Sequence, residues 1–137
     1  MSHTSIIKVK ISSLEALRAA CTRLGLEFRE NQTTYKWYGR YRGDYPLPEG
    51  VSVDQLGKCQ HAIHVPGAAF EIGVIQKDDH FTMLWDFWQG GGLAKILGEN
   101  AETLVQAYGV EAAMLLAYQQ GYSAYEELTE QGEIRVH

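Results

Sequence analysis

Apolar and polar positions alternate most regularly in the middle of the chain. Phe70-Glu71-Ile72-Gly73-Val74-Ile75 and Phe81-Thr82-Met83-Leu84-Trp85-Asp86-Phe87-Trp88 flank the polar stretch Gln76 to His80, a pattern that predicts a long β-hairpin. With Asp78-Asp79 as its two-residue loop, Lys77 faces His80, Val74 faces Met83, Ile72 faces Trp85 and Phe70 faces Phe87 on one side of the ribbon. A slip of one residue would turn that whole set to the other face, so the pattern itself specifies the register. The same register sets Glu71 opposite Asp86 on the second side. Like charges directly opposite destabilise a sheet unless a third group intervenes.

The flanking segments read in the same way. Ile7, Val9 and Ile11 alternate with Lys8 and Lys10 as a half-buried strand. Ser12 with Glu15 forms a capping box, Leu14, Leu17, Ala20, Cys21 and Leu24 recur at helical spacing, and Gly25 closes the helix. Leu26 to Arg29 is a second strand. Tyr35 to Tyr45 is read as a third, with Tyr35, Trp37 and Tyr41 on one face and Lys36, Tyr38, Arg40 and Arg42 on the other. Pro46 to Gly57 is a loop with a helical turn at Val53 to Leu56, and Cys59 to Val65 is a strand turned by Pro66-Gly67.

After Trp88 and Gly90-Gly91-Gly92 comes a short helix, Leu93 to Leu97, closed by Gly98. A longer helix runs from an Asn100 cap to about Gln120, closed by Gly121. Leu104, Val105, Tyr108, Ala112, Leu115 and Leu116 form its stripe, and Gly109 within it marks a close packing contact. Tyr122 to Leu128 and Glu133 to Val136 form a hairpin turning at Gln131-Gly132. Adjacent strands joined by short turns predict an α+β fold, a mainly antiparallel sheet with two principal helices packed on one face.

Composition narrows the class of object. At 137 residues, 45% hydrophobic and 21% charged, the chain reads as a single globular domain, 1–137. A net charge of −5 argues against a surface that grips duplex DNA throughout, though a local basic patch survives. No segment approaches a membrane span, and the N-terminus lacks the pattern of a signal peptide. Cys21 and Cys59 are therefore expected as reduced thiols, Cys21 within the helix stripe as a small buried hydrophobe, and the protein as cytoplasmic.

Several phrases in order carry a resemblance. They are Met1-Ser2-His3, the helix closing on Leu24-Gly25-Leu26, Tyr41-Arg42-Gly43, Phe70-Glu71-Ile72-Gly73, Leu84-Trp85-Asp86-Phe87-Trp88, and Tyr108 to Gly121-Tyr122 leading into Gly132-Glu133-Ile134-Arg135. Together they resemble a family of uncharacterised small bacterial and plastid proteins, typified by the hypothetical chloroplast reading frame thirty-five protein, with short relatives in phage and mobile elements. The chain departs from that pattern by a longer Tyr45-to-Pro66 segment and by stopping just after Val136. The resemblance implies the fold and brings no activity.

Four constellations have chemical potential. Cys59, His61 and His64 form C-x-H-x-x-H, a candidate metal set to which His80 or Glu71 would add a fourth ligand. A strand would put Cys59 and His61 on one face and His64 on the other. Cys59 with His61 also suggests a nucleophile and its base. Glu71 with Asp86 suggests an acid–base pair or a cation site, although a salt bridge with Arg135, Arg40 or Lys95 between them is favoured.

The aromatics and cations of Lys36 to Arg42 suit single-stranded nucleic acid, and the triple glycine near Lys95 would offer N–H groups to a phosphate. A basic-faced sheet strand and a flexible connection are the plainer readings.

No complete catalytic set is present and no cofactor is expected, so an enzyme is the less favoured reading. The surplus of aromatics (Trp37, Tyr38, Tyr41, Tyr45, Trp88) points to a small binding or regulatory protein acting on a protein partner. In a phage or mobile-element setting that means an inhibitor of a host protein. A nucleic-acid or phosphate-ligand binder using Lys36 to Arg42, and a metal-dependent enzyme using Cys59, His61 and His64, are the alternatives.

Overall fold

A computed structural model describes residues 3–39, 41, 43 and 45–120, and the backbone of Glu126–Leu128 and Ile134–Val136. Its centre is a five-stranded antiparallel sheet in the order β1-β5-β4-β3-β2. The strands are β1 Thr4–Ile11, β2 Glu27–Arg29, β3 His61–His64, β4 Glu71–Lys77 and β5 His80–Asp86. The helices are α1 Leu14–Leu24, α2 Leu93–Leu97 and α3 Glu102–Gln119. Leu17, Ala20 and Cys21 of α1 and Leu104, Ala107 and Tyr108 of α3 share one core with Ile7, Ile63, Ile72, Val74, Met83 and Trp85. The helices thus cover one face of the sheet, the α+β arrangement that the periodicities predict. None of the described helices is long and apolar enough to cross a membrane.

The central hairpin turns at Asp78-Asp79 with Lys77 beside His80 and Val74 beside Met83. Its ladder ends at Gly73 and Leu84. Beyond that pair β4 continues against β3 and β5 against β1, with Glu71 beside His64 and Asp86 beside Thr4. Ile72 and Trp85 still share the helix-side core. The expected facing of Phe70 with Phe87 gives way: Phe70 packs on Trp88 at 6.1 Å between ring centroids, while Phe87 packs on His3 and Tyr45 at 5.2 and 5.1 Å. The β3–β4 connection uses Pro66-Gly67 as a type II turn. Val65 C=O accepts the Ala68 N–H at 3.0 Å, and Gly67 has the φ of 90° that this turn demands.

Residues 35–45 form no strand in their described part; one isolated bridge, Thr34 with Lys58, is the extent of pairing nearby. Instead, Tyr35 and Cys59 pack with Ala62 and Leu84 in a second, smaller core, with Trp37 and Val51 against it. Ala62 pairs with Gly73 and Leu84 with Gly73 in the ladders, so this core lies on the face opposite the helices. The Tyr35 ring rests on Gly73, where a Cβ would stand 2.4 Å from a ring carbon. Only glycine allows that approach.

Local signals hold with small shifts. Ser13, not Ser12, caps α1 by accepting the Ala16 N–H at 3.1 Å. The Ser12 and Ser13 N–H groups donate to the Tyr108 hydroxyl at 2.9 and 3.3 Å, which fastens the start of α1 to α3. Gly25 closes α1 at φ 74°. Ala101 occupies the cap position of α3, and Asn100 donates its main-chain and side-chain N–H to Glu102 instead. Gly109 is exposed with no atom within 4 Å of a Cβ built on it, so it marks no close contact. Glu126–Leu128 and Ile134–Val136 pair as the C-terminal hairpin; the turn expected at Gln131-Gly132 and the Gly121 stop lie outside the described residues.

Candidate functional site

The opposed carboxylates have a definite answer. Glu71 is 2% exposed and Asp86 0%. Glu71 Oε1 accepts the Lys36 N–H at 3.0 Å and Gln32 Nε2 at 3.2 Å, and Oε2 accepts Arg29 Nη1 at 3.1 Å. The Glu71 N–H donates to Lys36 C=O at 2.8 Å. Asp86 Oδ1 accepts the His3 and Trp88 N–H groups at 2.9 and 3.1 Å, and Oδ2 accepts the Tyr38 N–H at 3.2 Å. The third group between the acids is therefore the backbone of Lys36 to Tyr38. Among the described residues the cation on Glu71 is Arg29 of β2, in place of the expected Lys95; Arg40 and the Arg135 side chain, the other two candidates, lie outside the described residues. Arg29 also pairs with Glu27 at 3.1 Å, and His64 lies between Glu27 and Glu71 at 3.6 and 3.8 Å. Buried carboxylates are tolerated where each oxygen accepts donors. Here they anchor the 30–38 segment to the sheet.

Cys59, His61 and His64 do not converge. Cys59 lies in the second core, its Sγ donating to Gln32 C=O at 3.2 Å. His61 pairs with Val74 on the helix side, against the rings of Phe28 and Phe81, and its Nδ1 accepts the Asn31 N–H at 3.0 Å. His64 points with Glu71 to the opposite side. Cys59 precedes the regular strand, so alternation does not carry back to it and it does not share the face of His61. Among the described residues no group of three His, Cys, Asp or Glu side chains is placed to hold a metal. Burial pushes the Cys59 thiol up to about 11 and the Cys21 thiol up to about 12, the opposite of what a nucleophile needs.

The aromatic and basic run scatters as well. Tyr35 and Trp37 are committed to the second core, while Tyr38 packs edge-on against Trp88 at 5.4 Å. The Tyr41 hydroxyl donates to Tyr45 C=O at 3.2 Å. Lys36 is exposed, and Arg40 and Arg42 lie outside the described residues. The triple glycine is a packed turn, not a flexible phosphate loop. A Cβ on Gly91 would meet the Phe70 ring and one on Gly90 the Trp88 ring. The Gly91 and Gly92 N–H groups are used by Trp88 C=O and Gln89 C=O at 2.9 and 3.1 Å.

What the structure does assemble is a groove of about 950 Å³ along the edge of β1, which among the described residues no further strand pairs. His3, Ile7, Tyr45, Phe87 and Trp88 line it, and Lys95, Glu99 and Asn100 of α2 and the turn after it form one bank. The Phe87 N–H donates to His3 C=O at 2.9 Å. Antiparallel pairing alternates, so Ser5 and Ile7 bond to β5 while Ile6 turns its N–H and C=O to the open side. Between Ile7 and Ile11 the register shifts, and Lys8 and Lys10 are exposed there. Bulges and lysines are how sheets blunt an open edge. The Thr4-to-Ile7 half has neither, and it is the half beside the groove.

Sequence reasoning named Trp88 and Tyr45 but not His3, Phe87 or the edge. No local signal marked them: the edge follows from β1 pairing with β5, which leaves the other side of β1 without a described strand. Comparison with known proteins finds no family model, no curated protein and no solved structure that matches this chain.

Proposed function

We propose that this chain is a non-catalytic binding protein that takes an extended segment of a protein partner along the Thr4-to-Ile7 edge of β1. One observation carries the reading: the unblunted half of an edge strand runs beside an aromatic groove of about 950 Å³. Strand addition draws affinity from main-chain hydrogen bonds and specificity from pockets for alternate side chains. Tyr45, 41% exposed, and the half-buried Phe87 and Trp88 supply amphipathic rings of the kind that dominate binding energy. Lys8 and Lys95 in the same groove suit an acidic residue in the partner. The likeness to the reading-frame-thirty-five family belongs to this proposal and adds no activity to it. In a phage or mobile-element setting, such a protein would act in the cytoplasm by occupying a strand of a host protein.

The test is selection of random peptides displayed on phage against the immobilised chain. Enriched peptides should alternate β-branched or aromatic residues with polar ones. Tyr45→Ala should weaken them by about tenfold or more. Failure to enrich any peptide, or enriched peptides indifferent to Tyr45→Ala, would refute the proposal.

A further inference from the structure

The second face of the sheet holds a separate cavity of about 480 Å³ between the β4–β5 hairpin and the loop of residues 49–60. Ile6, Val51, Ile75 and Leu84 give it apolar walls. Its volume falls in the range of small-molecule sites, which are mostly apolar with a few placed polar groups. The polar groups here are unevenly charged. Lys58, exposed, and Lys77, half-buried, line the cavity against one carboxylate, Glu49. Neither lysine forms an ion pair among the described residues. His80 also lines the cavity, and its Nδ1 is held by Asp79 at 3.1 Å. A chain of net charge −5 thus places two uncommitted cations beside an apolar hollow.

We propose that this cavity binds an organic anion with an apolar body, such as a medium-chain carboxylate. The hydrocarbon lies against Val51, Ile75 and Leu84, and the anionic head meets Lys58 and Lys77. Burying the hydrocarbon supplies the affinity, while the two lysines select the sign of the head. The site is independent of the β1 edge except at Ile6, which lines both.

Methyl-labelled protein titrated with decanoate and decylammonium below their micelle concentrations, and with decan-1-ol below its solubility limit, tests this by NMR. Decanoate should shift the Val51, Ile75 and Leu84 methyls and bind more tightly than either comparison compound. Lys58→Gln and Lys77→Gln should each weaken decanoate by roughly two- to five-fold and leave decan-1-ol unchanged. Both substitutions lie on the rim, so the fold persists, and unshifted core methyls in the free variants verify it. Absence of methyl shifts, equal binding of decylammonium or decan-1-ol, or indifference of decanoate to both lysine variants would each overturn the proposal.

Discussion

Replacing Asp86 with asparagine separates the sheet from the segment it anchors. Asp86 Oδ1 serves His3 and Trp88, whereas Oδ2 serves Tyr38 alone. With its carbonyl oxygen in the Oδ1 place, asparagine keeps the first two bonds but makes them to a neutral acceptor. Its NH₂ group then confronts the Tyr38 N–H, donor against donor. Weakening two charge-assisted bonds costs about 1 kcal/mol together, and orphaning one buried donor costs about 1–3 kcal/mol. Removing the charge also relieves repulsion from Glu71, but Arg29 at 3.1 Å already balances that acid, so the relief is the smaller effect. The sum is about 2–4 kcal/mol, a large share of the roughly 5–15 kcal/mol that holds a domain of this size. The flipped amide would orphan two donors and cost more. Urea unfolding followed by tryptophan fluorescence measures the loss, and amide exchange locates it at Tyr38 ahead of the β4–β5 ladder. A loss under about 0.5 kcal/mol, or a Tyr38 amide that exchanges as in the parent, would refute the anchoring argument.

Further outcomes follow from single contacts. Tyr108→Phe leaves the Ser12 and Ser13 N–H groups without their acceptor and should cost about 1–3 kcal/mol by thermal melting. Gly109→Ala, in an exposed helical position with nothing near its Cβ, should stabilise by about 0.5–1 kcal/mol in the same assay. Burial raises Cys59 from 9.0 to about 11, Cys21 from 9.0 to about 12 and Tyr35 from 10.0 to about 12. Each loses its proton first in the unfolded chain, so their contribution is full below pH 9 and drains away as pH rises toward 11–12. Urea midpoints should therefore hold from pH 7 to 8.5 and fall beyond about pH 9.

The hairpin and the helix-side core were legible because a period of two over two facing runs admits one register. Val74 meets Met83 and Lys77 meets His80 as that register requires. Residues 35–45 misled for a physical reason. Alternating aromatics mimic a strand, yet the Lys36 and Tyr38 N–H groups find carboxylates 35 and 48 residues away instead of a ladder. The facing of Glu71 and Asp86 did signal that something must come between them. That it was a backbone segment, and that the cation was Arg29, depended on β3 pairing β2 beside β4, which no local pattern encodes. The groove was hidden for the same cause: His3, Tyr45 and Phe87 come from three distant stretches.

The central claim, that Thr4 to Ile7 receives a partner's strand, is tested most directly by amide exchange and interchain NOEs on the protein bound to a selected peptide. The account predicts slowed exchange of the Ile6 N–H and close Hα–Hα contacts between peptide and β1. A bound peptide that leaves Ile6 exchange unchanged and perturbs the α1–α3 surface instead would contradict it.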